Sequence, residues 1–333
     1  MPLNLRGKSL LAIKDWTNDE IKYVLRLSKE LKEGKRRGDD QRHLLGNTSK
    51  AIAVVFSKDS TRTRSSFETA SFDLGMNVSY IGGSGSQIGK KESIEDTAKV
   101  LGRFYDGIAF RGSAQADVEM LAKHAGVPVW NALTDDWHPT QMFADYLTVL
   151  EEFGTTKVKF VYFGDARNNM GRSLAIMSAH MGAHFVAAAP KKLWPTKDII
   201  DMANKIAKNT GAKIEFEEDP MKAAKDADVL YGDVWVSMGE PDSVWAERIK
   251  LLEPYRIDMK KFSAAKPEAI FLHCLPAFHD TNTIVGKEMA KKFKITEMEV
   301  SDEVFRSKHA RQFDQAENRA HTIKAIMAAT LGY

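Results

Sequence analysis

The segment Ser60–Arg64 places hydroxyl and guanidinium groups in five consecutive residues, Ser-Thr-Arg-Thr-Arg. It follows the apolar run Ala51–Phe56, which predicts a strand, and it opens a helical pattern that reaches Gly75. A helix N-terminus offers unpaired N–H groups and a positive dipole end, and arginine adds bidentate, charge-assisted bonds to anions. We therefore predict an anion site that favours phosphate. The alternative is a capped helix with a solvated basic turn. No glycine-rich nucleotide loop accompanies the segment.

Arg111 and the segment His138–Gln141 supply three further hydrogen-bond donors. Arg111 directly follows the apolar run Gly107–Phe110, and His138–Gln141 begins the next helical pattern. A guanidinium, an imidazole and an amide each donate hydrogen bonds to a carbonyl oxygen or an anion. His138 and Gln141 are about one turn apart, so they share a face of the predicted helix. The alternative for His138 is a structural cap.

Asn169 lies in the segment Gly164–Gly171, directly after the predicted strand Val158–Phe163. The position is that of a dinucleotide-binding loop, but the spacing is not Gly-x-Gly-x-x-Gly. Asparagine side chains at this point favour a small polar ligand over a pyrophosphate.

Asp233 begins the segment Asp233–Glu240, which also contains Ser237 and Met238. A carboxylate at the carboxyl end of a strand, beside a hydroxyl in a glycine-containing loop, suits an ammonium group. The alternative is an Asx turn with no ligand.

Cys274, Arg319 and Gln87 have chemistry that the sequence leaves open. Cys274 follows His273, but neighbouring residues of extended backbone point apart, and a solitary pair is too few ligands for zinc. A buried, inert thiol is the default interpretation. Arg319 lies near the start of the last predicted helix, either at the surface or within reach of the same cleft. Gln87 lies in the polar loop Gly82–Lys91, which is a lid, an arm to a neighbouring subunit or a surface loop.

The composition indicates a globular protein. The 333 residues are enough for two domains, and 43% are apolar and 28% charged. The net charge of +3 gives no reason to expect nucleic acid. A single cysteine excludes an internal disulfide and favours a reducing compartment. With no membrane-spanning stretch and no signal-like features in Met1–Trp16, we expect a cytoplasmic protein. The basic run Lys35–Arg37 is predicted to lie in a loop after the first helix.

Short apolar runs alternate with helical patterns along the chain, which predicts an α/β fold with parallel sheets covered by helices. Nine strands are predicted, at Ala51–Phe56, Val78–Ile81, Gly107–Phe110, Pro128–Trp130, Val158–Phe163, His184–Ala188, Lys213–Phe216, Val229–Tyr231 and Ala269–Leu272. Predicted helices include Asn18–Lys32 behind a Thr17/Glu20 capping box, a long connector from Pro139 to Phe153, and a last helix near Ala316–Leu331. We expect two doubly wound domains with mostly parallel sheets, joined by interdomain helices around a cleft. The polar segments all follow strand ends, where such sheets bind ligands.

These segments resemble the carbamoyltransferase family, and most closely its ornithine-specific members. The resemblance rests on four motifs in the family's order and usual separations, Ser60–Arg64, His138–Gln141, Asp233–Gly239 and His273–Pro276. It covers essentially the whole chain, with no departure at a position expected to touch a substrate.

The resemblance implies transfer of a carbamoyl group between carbamoyl phosphate and the δ-amine of L-ornithine, giving L-citrulline and phosphate in arginine metabolism. It implies phosphate binding by Ser60, Thr61, Arg62 and Thr63, and carbonyl binding by Arg111, His138 and Gln141. Cys274, Leu275, Arg319 and Gln87, the last from an adjacent subunit, would complete that site. Asn169, Asp233, Ser237 and Met238 would bind ornithine. The implied catalytic set is Arg62, Arg111, His138, Gln141, Asp233, Cys274 and Arg319.

The resemblance also implies an organisation and an assembly. Residues 1–150, with a helix at 317–333 packing back, would form the carbamoyl-phosphate-binding domain, and residues 151–316 the ornithine-binding domain. The implied assembly is a homotrimer or a multiple of trimers with sites at subunit interfaces. No metal or organic cofactor is expected, and neither nucleic acid nor a membrane is an expected partner.

Three alternatives remain. The acceptor could be aspartate or putrescine, although aspartate calls for cations that the Ser237–Gly239 segment lacks, and putrescine has no α-ammonium for Asp233. The chain could be a binding protein that keeps the phosphate site for sensing. A nicotinamide-linked oxidoreductase is disfavoured because the glycine fingerprint is missing.

Overall fold

The computed structural model describes residues 3–46, 49–83, 88–89, 91–236, 240 and 242–333. Three of the residues implied in substrate binding, Gln87, Ser237 and Met238, lie outside the described residues.

The nine predicted strands are present in the described residues, with ends that differ by no more than a few positions. The strands are β1 Ala51–Phe56, β2 Asn77–Gly82, β3 Gly107–Arg111, β4 Val129–Leu133, β5 Lys159–Phe163, β6 His184–Ala188, β7 Lys213–Glu217, β8 Val229–Gly232 and β9 Ile270–His273. They form two sheets, ordered β2-β1-β3-β4 and β7-β6-β5-β8-β9, in which every pair of neighbours is parallel.

Helices connect the strands. They are α1 Asn18–Arg37, α2 Thr61–Asp73, α3 Ile94–Phe104, α4 Gln115–Ala125, α5 Pro139–Phe153, α6 Asn169–Met181, α7 Lys197–Thr210, α8 Pro220–Ala224, α9 Trp245–Leu252, α10 Met259–Ala264, α11 Ile284–Phe293, α12 Asp302–Phe305 and α13 Gln312–Leu331. The capping box is confirmed at α1, where Thr17 Oγ1 accepts from the Glu20 N–H at 3.3 Å and the Thr17 N–H donates to Glu20 Oε2 at 2.7 Å.

The chain divides into two compact units. Unit 1 comprises Met1–Glu151 and Ala316–Tyr333, and unit 2 comprises Glu152–Gln315. The divisions fall within α5 and α13, so helices join two doubly wound α/β units, as the sequence predicts. Each unit has its own apolar core on its sheet, and β3 is buried along its whole length. Burial on both faces accounts for the apolar runs that revealed the strands.

The basic run Lys35–Arg37 is not in a loop, and the prediction was wrong. It forms the last turn of α1, which ends at Gly38 with φ +87°. Basic residues in a last turn complement the negative end of the helix dipole. Gly34 lies inside this helix, two residues beyond the predicted end at Lys32. A Cβ at Gly34 would lie 2.9 Å from Gln41 Nε2, so glycine there admits a close neighbour within a continuous helix.

Buried polar contacts hold the part of α13 that belongs to unit 1, from Ala316 onward. Lys324 is fully buried and donates hydrogen bonds to Gln41 and Asp73, and Lys32 Nζ donates to Asn318 Oδ1 at 2.7 Å. Buried ammonium groups require such partners, so these contacts fix the position of α13. The helix begins at Gln312, a turn earlier than predicted.

Both sheets reverse their strand order at one point. In unit 1 the chain runs from β1 outward to β2 and returns to β3 on the other side of β1. In unit 2 the same reversal separates β5 from β8. Loops leave a crevice at such points, beyond the carboxyl ends of the strands. Across the described residues, none of the helices has both the length and the apolar character needed to cross a bilayer.

Candidate functional site

The structure divides the candidate residues between the units. Unit 1 contains Ser60, Thr61, Arg62, Thr63, Arg111, His138, Gln141 and Arg319, and unit 2 contains Asn169, Asp233, Cys274 and Leu275. In unit 1 all of them except Arg319, which belongs to α13, lie at or after the ends of β1, β3 and β4, which are consecutive neighbours in the sheet. In unit 2 they follow β5, β8 and β9, also neighbours.

Ser60 and Thr63 shape the N-terminus of α2. Ser60 is the N-cap, and its Oγ accepts from the Thr63 N–H at 3.3 Å. The Ser60 hydroxyl and Thr63 Oγ1 are 3.1 Å apart, so the two side chains are bonded to each other. Thr61 is exposed at the first helical position. The arrangement keeps hydroxyl groups and a positive dipole end together, as an anion site requires.

The two arginines of the motif have different surroundings. Arg64 is exposed, donates to Glu68 at 2.8 Å and lies over the Tyr80 ring at 3.9 Å from its centre. Arg62 is half-buried and its positive charge acts on His138. Only Arg62 of this pair therefore contributes charge to the cluster around His138.

Arg111 is the last residue of β3 and is buried. The pairing of β3 with β4 shifts between Phe110 and Arg111, which turns the end of the strand. The Arg111 carbonyl oxygen accepts a hydrogen bond from the Ser57 N–H at 2.9 Å, which connects the end of β3 to the loop before α2.

His138 directly precedes the first residue of α5 and is buried. Its pKa lies well below 6.5 because burial disfavours the charged form and because Arg319, Arg111 and Arg62 repel a further positive charge. A neutral imidazole still donates one hydrogen bond. The guanidinium groups of Arg319, Arg111 and Arg62 therefore lie close enough to His138 to act on its charge.

Arg319 joins α13 to two other parts of this cluster. Its Nη1 donates to Gln141 Oε1 at 2.6 Å, and its Nη2 donates to Thr63 Oγ1 at 3.1 Å. Gln141 in turn donates through Nε2 to Asp145 Oδ1 at 2.8 Å. All four side chains are buried. Asp145 belongs to no motif in the sequence, and its only signal is its position as an acidic residue on the buried face of α5.

We expect the pKa of His138 in the free protein to lie well below 6.5, so that the imidazole is still neutral as acidification from pH 8 passes that value. The folded pKa is below the unfolded value of 6.5, so His138 contributes stability above pH 6.5 that is lost as pH falls. Nitrogen-15 NMR of histidine-labelled protein, with His138→Gln to assign the signal, measures this directly. A midpoint at or above 6.5 would contradict the cationic cluster.

Asp233 is the centre of the candidate site in unit 2. It directly follows β8 and is buried. The Tyr162 hydroxyl lies 3.2 Å from Asp233 Oδ2, and Asn168 Nδ2 donates to the same oxygen at 3.1 Å. Both partners come from β5 and the loop after it, across the switch point of the sheet. Tyr162 resembles an ordinary core residue of a strand, so nothing in the sequence marks it as a partner of Asp233.

Cys274 is a further partner of Asp233. Its Sγ lies 3.4 Å from Asp233 Oδ1, which also accepts from the Val234 N–H at 2.9 Å. Burial raises the pKa of Asp233, and the opposing effects of His273 and of these hydrogen bonds do not cancel it. Because burial disfavours the charged form of this carboxylate, a cationic ligand beside it would stabilise that form.

Ion pairs stabilise the loop after β5. Asp165 accepts two hydrogen bonds from Arg167, at 3.0 and 2.8 Å, and is also paired with Arg248. Burial opposes ionisation of Asp165, but the two arginines outweigh it and lower the pKa. Asn169 follows this loop as the first residue of α6. Its neighbour Asn168 caps the helix, with Oδ1 accepting from the Gly171 N–H at 2.9 Å.

Leu275 lies in a left-handed conformation, with φ +57°. Its N–H donates to His273 Nδ1 at 2.8 Å, so that nitrogen is unprotonated. His273 Nε2 lies 3.3 Å from the buried Glu299. This pair fixes the backbone around Cys274 and Leu275.

One group of described side chains, His279, Asp280 and Asp302, has ligand atoms close enough to share a metal ion. Arg306 donates to Asp302 at 2.9 Å and to Asp280 at 3.4 Å. The guanidinium already balances both carboxylates, so we assign no metal here.

Comparison with known proteins agrees with this architecture. Residues 8–151 match the domain family described as aspartate/ornithine carbamoyltransferase, carbamoyl-P binding domain. Residues 156–330 match aspartate/ornithine carbamoyltransferase, Asp/Orn binding domain.

Individual relatives cover almost the whole chain. The catabolic ornithine carbamoyltransferase of Treponema denticola is 56% identical over 329 residues, which are 98% of this chain and 96% of that protein. The catabolic ornithine carbamoyltransferase of Streptococcus gordonii gives the same identity and coverage. The solved structure of ornithine carbamoyltransferase from Pyrococcus furiosus has a TM-score of 0.89 and 41% identity, covering 99% of this chain and 98% of that one.

The fold and the two sites define a two-domain α/β protein with a cationic cluster at one switch point and a buried carboxylate at the other. The family matches and the relatives agree on one assignment. The chain belongs to the aspartate/ornithine carbamoyltransferase family.

Proposed function

We propose that this protein is an enzyme that transfers the carbamoyl group between carbamoyl phosphate and the δ-amine of L-ornithine, giving L-citrulline and phosphate reversibly. The observation that carries the proposal is the buried cluster of Arg111, His138, Gln141 and Arg319 beside the N-terminus of α2. The relatives named above, all ornithine carbamoyltransferases, support the acceptor. Two of them are named catabolic, which supports the degradative direction.

The N-terminus of α2 would hold the phosphate of carbamoyl phosphate. Ser60, Thr61 and Thr63 supply hydroxyl groups, and the helix supplies N–H donors and a positive dipole end. Arg62 adds a guanidinium that pairs with phosphate oxygens. In this proposal residues 1–150 and 317–333 form the carbamoyl-phosphate-binding domain.

Arg111, His138 and Gln141 would bind the carbonyl oxygen of the same substrate. Attack by an amine on the carbamoyl carbon forms a C–N bond and places negative charge on that oxygen. The charge then passes to the leaving phosphate as the C–O bond breaks. Preorganised donors at both places lower the barrier because they bind the transition state better than the substrate. A neutral His138 serves as a donor without adding a proton-transfer step.

Ornithine would bind in residues 151–316 through its α-ammonium, which pairs with Asp233. The hydrogen bonds from Tyr162 and Asn168 hold the carboxylate in place for that contact. Asn169, Ser237 and Met238 would contact the rest of the amino acid. For Ser237 and Met238 this role rests on the family motif.

Cys274 would contact the carbamoyl amide together with Leu275. Its thiol lies beside the Asp233 carboxylate, whose oxygens only accept hydrogen bonds, so the S–H donates there. The δ-amine of ornithine must lose a proton before attack, and the phosphate of the other substrate is a candidate acceptor.

We expect Cys274→Ser to keep kcat within about tenfold of the parent, since a hydroxyl still donates to Asp233. Cys274→Ala, which removes the donor, should lower kcat further. Steady-state kinetics with ornithine compares the two variants. Equal, severe losses in both would point to proton chemistry at the thiolate instead.

We propose a homotrimeric or larger assembly in the cytoplasm, with Gln87 reaching carbamoyl phosphate on an adjacent subunit. The single cysteine of the chain supports a reducing compartment. Light scattering of the purified protein tests the assembly. Mixing a Gln87→Ala variant with an Arg62→Ala variant tests shared sites, because hybrid trimers would regain some intact sites.

The function is tested by offering carbamoyl phosphate with ornithine, putrescine or aspartate in parallel and assaying the carbamoylated product. Product with ornithine alone supports the whole proposal. Preference for another acceptor keeps the transfer chemistry but rejects the role of Asp233. Binding of carbamoyl phosphate with no product from any acceptor would favour a sensing protein.

A further inference from the structure

Asp145 lies inside α5, one turn after Gln141, and is fully buried. A fully buried aspartate is rare because desolvation of a carboxylate is costly without strong partners. Its Oδ1 accepts from Gln141 Nε2 at 2.8 Å. The side chain is thus directed at a residue of the proposed substrate site, although it belongs to no motif that marks that site.

The partners of Gln141 settle the orientation of its amide. Arg319 has only donors, so the Gln141 atom 2.6 Å from its Nη1 must be the carbonyl oxygen. The amide nitrogen then faces Asp145, whose carboxylate accepts the bond. A reversed amide would set N–H against guanidinium and oxygen against carboxylate. The two charged neighbours therefore permit one orientation.

The hydrogen bonds that begin at Asp145 continue beyond Gln141 to two further side chains. Arg319 is held by the Gln141 oxygen through Nη1 and reaches Thr63 Oγ1 through Nη2 at 3.1 Å. Asp145, Gln141, Arg319 and Thr63 thus form one hydrogen-bonded chain, which runs from the interior of α5 to the N-terminus of α2.

We infer that Asp145 is a positioning residue, which fixes the Gln141 amide so that one N–H remains for the substrate and Arg319 stays anchored beside it. The inference rests on the proposed function. Asp145 does not touch the substrate and acts through Gln141. Without its carboxylate the long glutamine side chain regains rotameric freedom, and the Arg319 contact is lost in part.

The test is a double-mutant cycle of parent, Asp145→Ala, Gln141→Ala and the double variant, with kcat and KM for carbamoyl phosphate at saturating ornithine. We expect Asp145→Ala to lower kcat about 10- to 100-fold, the range for residues that orient a catalytic group. In the Gln141→Ala background the same substitution should change kcat by no more than about twofold. If the loss of kcat in the double variant equals the product of the two single-variant losses, the residues act independently and the inference is overturned. A parent-like kcat in Asp145→Ala would overturn it as well.

Val149→Ala is the matched control, since Val149 is a fully buried residue one turn further along the same helix. It lowers stability through a small cavity but leaves the Gln141 amide in place. We expect parent-like kcat in Val149→Ala despite a lower melting temperature. If Val149→Ala loses as much kcat as Asp145→Ala, the role of Asp145 is merely structural and the inference fails.

Asp145→Asn adds a conservative rescue, because its Oδ1 still accepts from Gln141 Nε2 but carries no charge. Its kcat should lie between those of the parent and Asp145→Ala. If Asp145→Ala does not fold, the cycle is run with Asp145→Asn, whose smaller loss of kcat should likewise disappear in the Gln141→Ala background. A parent that turns over no ornithine rejects the proposed function, whereas an active parent with multiplying losses rejects only this inference.

Discussion

Replacement of Arg62 by alanine is expected to lower kcat for carbamoyl transfer by about 10²–10³-fold, the cost of removing one donor to developing negative charge. Arg62 is half-buried at the N-terminus of α2, where its charge adds to those of Arg111 and Arg319 around His138. Phosphate gains negative charge as it leaves, so the guanidinium binds the transition state more strongly than the substrate. The variant should therefore lose kcat rather than only affinity.

Arg64→Ala is the matched control from the same motif. Arg64 is exposed, and its guanidinium contacts Glu68 and the Tyr80 ring. Surface substitutions of this kind usually change stability little. We expect its kcat to remain within about twofold of the parent. Melting temperatures of the parent and both variants show whether the fold is intact.

The kinetic pattern decides the role of Arg62. A raised KM for carbamoyl phosphate with unchanged kcat would mean uniform binding, and the proposed stabilisation of the transition state would be rejected. The titration of His138 gives an independent readout. Removal of one of the three neighbouring cations should raise the pKa of His138, and the Arg64→Ala variant should leave that pKa unchanged.

The strands could be predicted because parallel strands buried on both faces are continuous apolar runs. β1, with the sequence Ala-Ile-Ala-Val-Val-Phe, is buried at all but its first residue. β4 was predicted too short because Asn131 interrupts its apolar run. Asn131 is nevertheless buried, with its amide donating to the Leu11 carbonyl at 2.8 Å. That contact joins residues 120 positions apart, and no local pattern can reveal it.

The site residues also divide into those that a local sequence pattern reveals and those that only the tertiary structure reveals. Arg111, His138 and Asp233 could be found because polar residues directly after apolar runs mark the binding edge of a parallel sheet. Asp145 and Tyr162 could not, because each lies within a helix or strand and resembles a core position. For Arg319 the sequence left both a surface position and a position in the cleft open, and only the family resemblance implied a role. Its role depends on the packing of α13, which long-range bonds such as Lys324 to Asp73 determine.

Replacement of Asp233 by asparagine is expected to lower kcat/KM for ornithine by about 10²–10⁴-fold, which corresponds to roughly 3–5 kcal/mol for breaking a buried ion pair. Asparagine keeps the shape and one acceptor oxygen, which can still serve Tyr162 and Asn168. What is lost is the charge that pairs with the α-ammonium, together with the second acceptor, Oδ1, which accepts from the Val234 N–H and the Cys274 thiol. Carbamoyl phosphate binding, measured by calorimetry, should change little, because its proposed phosphate and carbonyl contacts lie in unit 1.

The pH dependence follows from the direction of the pKa shift. Burial raises the pKa of Asp233, so the carboxylate is protonated at a higher pH than an exposed aspartate. Because kcat/KM reports the free enzyme, its value for ornithine should fall on acidification before pH reaches the ordinary 3.8. Asp233→Asn has no such group, so its lower kcat/KM should lack this decline.

Putrescine distinguishes the charge of Asp233 from its role in packing. This diamine has two amines but no α-ammonium beside a carboxylate, so it cannot make the proposed ion pair. The parent should prefer ornithine strongly, and Asp233→Asn should lose most of that preference. The rate with putrescine should change far less than the rate with ornithine. Tyr162→Phe, which removes one hydrogen bond to Asp233 and keeps the charge, should weaken ornithine binding while retaining the preference. If Asp233→Asn keeps the parent's preference, then Asp233 does not bind the α-ammonium, and acceptor selection must depend on other groups.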